Sequence, residues 1–354
     1  MNKLDLMDFS SFLVINNPGL INNPGLANNP AQNARKRIMS KTAVKQGKAA
    51  SSPAPSGSGC ATVTLGSYAQ TVLTKHYERL VKQETGVLED SDPEYLHQMR
   101  VATRRLRTAL QVFGGAVHLP KAGREKQVQT LTRVLGQLRD LDVQIAALLT
   151  EYRPGLPETE QKWLDRAITK LQKQRDKTFV AVEQFLNSST YHDLKAAYAT
   201  WCAQPSFTPI AELPLHTVLP DLLSPLLSKL LLHPGWLIAA AQSNQEGIGL
   251  HELRKTCKQA RYQAEFFVDW YPPAFRTWVD ELKQIQSDLG TVQDSHVLLE
   301  ILAEKGSKPS NLPSLHQAIH QQQTDALKQW DEVRSKYVDQ SFRYELYQMI
   351  LTPQ

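Results

Sequence analysis

Residues 96–107 read L-H-Q-M-R-V-A-T-R-R-L-R, and residues 250–261 read L-H-E-L-R-K-T-C-K-Q-A-R. An offset of 154 pairs Leu96 with Leu250, His97 with His251, Arg100 with Arg254 and Arg107 with Arg261, while Lys258 keeps the charge of Arg104. The offset continues without insertion: Phe113 matches Phe267, Leu135-Gly136 matches Leu289-Gly290, Asp140 matches Asp294 and Val143 matches Val297. This period is far longer than that of a solenoid, so two similar halves are expected. Apolar positions recur easily because many sequences pack. A row of cations has no packing reason to recur, and its repetition points to a polyanion.

Where the charge lies decides what it means. The 354-residue chain carries a net +5, yet residues 1–60 hold seven basic and two acidic side chains, leaving 33 of each sign in the rest. The body is neutral overall, so the basic pI does not argue for nucleic-acid binding by it. Residues 16–20 and 22–26 both read N-N-P-G-L, and Ser, Ala, Pro and basic residues follow. Such composition favours turns and cannot bury much apolar surface. A disordered tail is expected over 1–60, and one duplicated domain over 61–354, with halves at about 61–205 and 216–354.

Phe12-Leu13-Val14-Ile15 is too short for a signal-peptide core, and Asp5 and Asp8 stand where a signal carries positive charge. The most apolar stretch, 222–241, contains Pro225, Lys229, His233 and Pro234 and reads as buried helix and turn. The scattered Cys60, Cys202 and Cys257 fit a reducing compartment. The cytoplasm is the expected location.

Apolar residues recur at helical spacing through the body, with Gly and Pro between the blocks. Helices are predicted at about 64–85, 92–114, 122–150, 158–187 and 189–203, then at about 217–232, 247–270, 275–304, 311–337 and 340–351. Asp92-Pro93 is a start signal and Gly114-Gly115 a stop.

In the first stripe, His97, Arg100, Arg104 and Arg107 fall within roughly an 80° arc of one helix face. Leu96, Met99, Thr103, Leu106, Leu110 and Phe113 fill the adjoining arc, the core side. No acidic residue lies between Leu96 and Gly114. Such a row is stable only if an anion neutralises it, or if carboxylates reach it from other helices, with Asp140, Asp142, Asp288 and Asp294 as candidates. Two stripes in matching places favour the anion. A pseudo-two-fold would bring both to one groove, where arginine forks suit phosphate oxygens and lysine and protonated histidine add charge.

The patterns H-x-x-R-V-x-x-R-R-L-R (residues 97–107), L-G-x-x-R-D-x-D-V (residues 135–143) and H-x-L-R-K-x-x-K-x-x-R-Y (residues 251–262) resemble the CHAD family, the conserved histidine α-helical domains. The resemblance spans about residues 64–350. It implies an all-α fold of two four-helix bundles about a pseudo-two-fold axis. It further implies a basic central groove that binds inorganic polyphosphate, and association with polyphosphate granules or polyphosphate-metabolising proteins. By resemblance, polyphosphate contact falls to His97, Arg100, Arg104, Arg105 and Arg107, and to His251, Arg254, Lys255, Lys258 and Arg261. Gln259, Ala260 and His296 depart from the family pattern and thin the second stripe.

The sequence holds no recognisable phosphate-cradling glycine loop, nucleophile elbow or carboxylate cluster for Mg²⁺. No catalytic residue, metal or cofactor is assigned, and a non-enzymatic polyphosphate-binding module is expected. An RNA-binding adaptor is one alternative, and it needs aromatics among the cations for stacking. A phosphohydrolase and a protein-interaction scaffold are two others. Nucleic acid and membrane are not expected partners. Lys75, Arg79 and Lys82 read as a solvated face, Arg139 and Asp140 as an internal tie. His316 and His320 share i, i+4 spacing without a third metal ligand.

Overall fold

The computed structural model describes residues 63–243, 247–306 and 309–354, and the expected tail lies outside them. The domain is all-α: among the described residues, β-type pairing is limited to isolated bridges, Thr64 with Pro214 and Val117 with Phe207. The first half runs α1 (Leu65–Val81), α2 (Glu84–Leu88), α3 (Pro93–Phe113), α4 (Glu125–Ala147), α5 (Glu158–Leu186) and α6 (Ser189–Ala203). The second runs α7 (Leu215–Leu231), α8 (Gly247–Ala264), α9 (Pro273–Glu304), α10 (Pro313–Ala326), α11 (Trp330–Val338) and α12 (Gln340–Leu351). Helix α3 packs on α1 and α4, and α4 on α5; likewise α8 packs on α7 and α9, and α9 on α10.

Local chemistry sets the ends of α3. The Asp92 carboxylate accepts the Glu94 N–H at 2.8 Å, and Pro93 sits at the first helical position, where a missing N–H costs nothing. Gly114 ends the helix at φ −58, not in the left-handed region. Space explains the glycine: a Cβ there would lie 2.4 Å from the Leu110 carbonyl oxygen.

Four predicted helices are shorter or broken. The first splits after Val81, the third passes at Ala147 into a π turn (Leu148–Tyr152), the one at 247–270 stops at Ala264, and the one at 311–337 breaks between α10 and α11. Tertiary demands cause at least the last two. Phe266 and Phe267 leave α8 to join an aromatic cluster. Trp330 stacks on Trp236 at 5.8 Å and donates its indole N–H to Ile238 O at 2.9 Å. The stretch Leu215–Leu237 is long and apolar enough by length and composition to cross a membrane. Its Leu219, Leu223, Leu227 and Leu230 are buried in the core, as buried helix and turn requires.

The halves meet at two apolar joins. At one, Phe113 packs edge-on against Phe267, its partner in the repeat, with centroids 5.8 Å apart, and Tyr68 of α1 touches both rings. At the other, Leu164, Ile168 and Leu171 of α5 share a cluster with Leu298 and Leu302 of α9 and Leu315 and Ile319 of α10. Buried Glu160 pins this join by accepting the N–H groups of Ser314 and Leu315 at 3.1 and 3.2 Å, where a helix start offers unpaired donors. Along α4, Leu138 belongs to the first cluster and Leu141 to the second; along α9, Val292 and Leu298 divide the same way. Asp140 and Asp294 mark the change-over. A polar layer therefore separates the two joins, and both stripes reach it.

Candidate functional site

Helices α3 and α8 lie against each other, and their cations converge on one ring. The guanidinium carbons of Arg104 and Arg105 stand 4.3 and 5.2 Å from the Tyr262 centroid, and that of Arg261 stands 4.1 Å away. Tyr262 is buried, and the negative face of an aromatic ring attracts cations. The two stripes thus share one place in the molecule and do not lie on opposite sides.

Carboxylates hold the outer cations, from elsewhere in the fold for Arg105 and Arg107 and from the same segment for Arg261 and Lys255. Arg105 pairs across the halves with Glu265. Arg261 reaches the same Glu265 at 2.6 Å and donates from Nε to Gln286 at 2.9 Å. Arg107 meets Glu125 at 2.7 Å, and exposed Lys255 pairs with Glu252. The inner contacts are longer and recur at the repeat offset: Arg100 to Asp140 at 3.7 Å, Arg254 to Asp294 at 4.0 Å. Gly290 of the repeated Leu-Gly pair makes room for Arg254, since a Cβ would lie 3.3 Å from its Nε. Asp142 and Asp288 serve elsewhere, on Arg175 at 2.9 Å and Gln284 at 2.8 Å.

Arg104, Lys258 and Arg139 form no ion pair with a described carboxylate. Arg104 and Lys258 are half-buried. Burial nevertheless pulls Arg104 down to about 10, with Arg100, Arg105 and Arg261 adding to the fall. Burial, then Arg104, Arg254 and Arg100, holds Lys258 well below the ordinary lysine value. Arg104 and Lys258 thus keep partial access to solvent while bearing a heavy desolvation cost. Cations of both halves crowd together around them. Burial also pushes Asp140 up to about 7, with Asp294 contributing, against the pull of Arg100 and Lys258.

The expected charge on the histidines is corrected. Burial first, then Arg139, Arg104 and Arg100, lowers the pKa of His97; burial, Lys255 and Arg254 lower that of His251. Both are neutral imidazoles at neutral pH and offer hydrogen bonds, not charge. The expected Arg139–Asp140 tie is not a close ion pair: Asp140 stands 3.7 Å from Arg100, and Arg139, beside His97, acts on it only through its charge. Tyr262 closes the second motif and reads in the sequence as buried, yet no periodicity reveals a ring that receives arginines from another helix. His316 and His320 lie with ring centroids 6.5 Å apart, and no group of three or more His, Cys, Asp or Glu among the described residues is arranged to hold a metal.

The CHAD domain family model matches residues 71–303. This chain belongs to the CHAD family. The family is connected with polyphosphate. Among solved structures the chain is similar to the CHAD domain from the plant Ricinus communis, with TM-score 0.57 and 25% identity, covering 85% of this chain and 97% of that one. It also shares its fold with PptA from Streptomyces chartreusis, at TM-score 0.50 and 17% identity, over 80% of this chain and 99% of the other. No curated protein matches the chain. In this CHAD domain, the motif cations of α3 and α8 are the ones that meet around Tyr262 and Lys258.

Proposed function

We propose that this CHAD domain binds inorganic polyphosphate without hydrolysing it. The observation that carries the reading is the convergence of Arg104, Arg105 and Arg261, from two stripes, on the one ring of Tyr262. A chain of phosphates offers a charge at every unit, and planar guanidiniums match its oxygens. Arg104, Arg139 and Lys258, which form no close ion pair with a described carboxylate, make the first contacts. Arg100 and Arg254 follow from their longer contacts with Asp140 and Asp294. His97 and His251 donate as neutral rings. Arg105 and Arg261 order the site through Tyr262 and Glu265, while Arg107 and Lys255 sit at the rim beside Glu125 and Glu252. Base stacking is disfavoured, because the Tyr262 ring is buried and its neighbourhood already filled with guanidiniums. A cluster of cations would hold a polyanion without activating water. The proposed setting is the cytoplasm, at polyphosphate granules beside polyphosphate-metabolising proteins.

Retention of defined-length polyphosphate over a salt series, with ATP and RNA of matched charge as controls, tests this reading. Affinity should rise with chain length and fall with salt, by counterion release. Arg100→Glu with Arg104→Glu should abolish retention while far-ultraviolet circular dichroism stays helical. Equal retention by parent and variant would reject the groove. Preference for RNA would favour an adaptor, and release of orthophosphate with Mg²⁺ or Mn²⁺ would make the protein an enzyme.

A further inference from the structure

Among these converging cations sits an acid. Asp140 of α4 is buried, and neither carboxylate oxygen has a hydrogen-bond partner among the described residues. Buried carboxylates are ordinarily tied down by donors. The groups that face this one are charged. From α3 comes Arg100 at 3.7 Å; from α8, Lys258; from α9, Asp294; from its own helix, Arg139. Helix α5 sends Arg175, but Asp90 and Asp142 hold that guanidinium. Asp294 stands toward Arg254 as Asp140 stands toward Arg100.

We infer that Asp140, with Asp294 at the matching position, is a built-in counter-anion that neutralises the surrounding cations in the empty domain and competes with incoming phosphate. The inference rests on the polyphosphate reading above. Phosphate brought beside Arg100 repels the carboxylate and favours its protonated form. Anion binding and proton uptake are then coupled, and the coupling is reciprocal. Burial already holds Asp140 near neutrality, at about 7, so the uptake falls in the neutral range. Phosphate beside Lys258, whose pKa burial and the arginines hold below its ordinary value, favours the protonated form there as well. Binding therefore tightens as pH falls through about 7, by at most about tenfold per pH unit for each proton taken up.

Calorimetric titration of the full chain with defined-length polyphosphate, at pH 6, 7 and 8 and in buffers of two ionisation enthalpies, tests the inference. The parent should take up protons and bind more tightly at pH 6. Asp140→Asn should bind about tenfold more tightly than the parent at pH 8 and lose part of the pH dependence. Lys258→Arg removes the lysine's share, so the remainder belongs to the acids. Equal or weaker binding by Asp140→Asn at pH 8, or no proton uptake by the parent, would overturn the inference. If Asp140→Asn loses its helicity, Asp294→Asn carries the same expectations and the same refutation. Absence of polyphosphate binding by the parent at every pH would reject the ligand instead. Inorganic phosphate then decides the counter-anion: it should raise the Tm of the Asn variant at pH 8 more than that of the parent, and equal shifts would overturn it.

Discussion

Where the first half carries Arg104 and Arg139, the second carries Lys258 and Gln293 at the matching positions. Burial costs both central cations, but Arg104 falls only to about 10 and stays charged, whereas Lys258 is held well below its ordinary value. Arg139 stands beside His97, while a neutral Gln293 stands beside His251. Asp142 is clasped by Arg175 in the first half, and His296 takes its place in the second. A guanidinium starts from a much higher pKa than an ammonium, so the same desolvation leaves it ionised. On the proposed reading the first half is a permanent anchor and the second an adjustable grip. Matching backbone positions set where groups meet, and residue identity sets how firmly they hold their protons there.

Charge reversal strikes the comparison hardest. Arg104→Glu should weaken polyphosphate binding by about 100-fold at pH 8, and Lys258→Glu by only about tenfold, since charged contacts are worth a few kcal/mol when fully made. Titration at fixed salt reads both, and equal losses would erase the distinction. Lowering the pH should narrow the gap, because Lys258, held below the ordinary lysine value by burial and the arginines, takes up protons more fully. Exchange of matched residues sharpens the picture: Gln293→Arg should tighten binding by about three- to tenfold, and Arg139→Gln should weaken it similarly.

A stability test compares α1 with α7. His76 is buried, and burial together with Arg105, Arg79 and Lys75 lowers its pKa to about 3; Leu230, also buried, lies 154 positions on. The unfolded histidine binds a proton below about 6.5, and the native one does not until about 3. Stability is thus lost as pH falls through that window, by about 2 kcal/mol at pH 5. His76→Leu should narrow the difference in Tm between pH 8 and pH 5 by a few degrees, as thermal melts would show. The smallest effect is expected at the rim. Arg107→Ala should cost under about 1 kcal/mol and shift binding less than about threefold, because its pair with Glu125 is partly exposed. Arg261→Ala, at the same motif position but buried against Gln286 and Glu265, should lower the Tm more.

Much of the fold was legible because helix and stripe are local properties. The core-side residues Leu96, Met99, Leu106 and Phe113 are all buried, as helical spacing requires. The candidate aspartates were legible as well, for Asp140 and Asp294 share the offset that relates Arg100 to Arg254. Glu265 was not, although it lies one turn beyond Arg261, because its tie to Arg105 crosses between the halves. Neither were the neutral states of His97 and His251, which depend on how much water the surrounding helices exclude. The break before Trp330 escaped for a related reason, since its stacking partner Trp236 lies far back in the chain.

Periodicity and repetition along the chain decide which segments become helices and on which faces the cations stand, because backbone hydrogen bonding and side-chain direction follow from neighbours a few residues away. Packing across helices decides the rest: which cations are clasped, which keep their protons and which acid sits among them. Those outcomes depend on desolvation and on charges brought together from 154 residues apart, and neither quantity exists until the chain has folded.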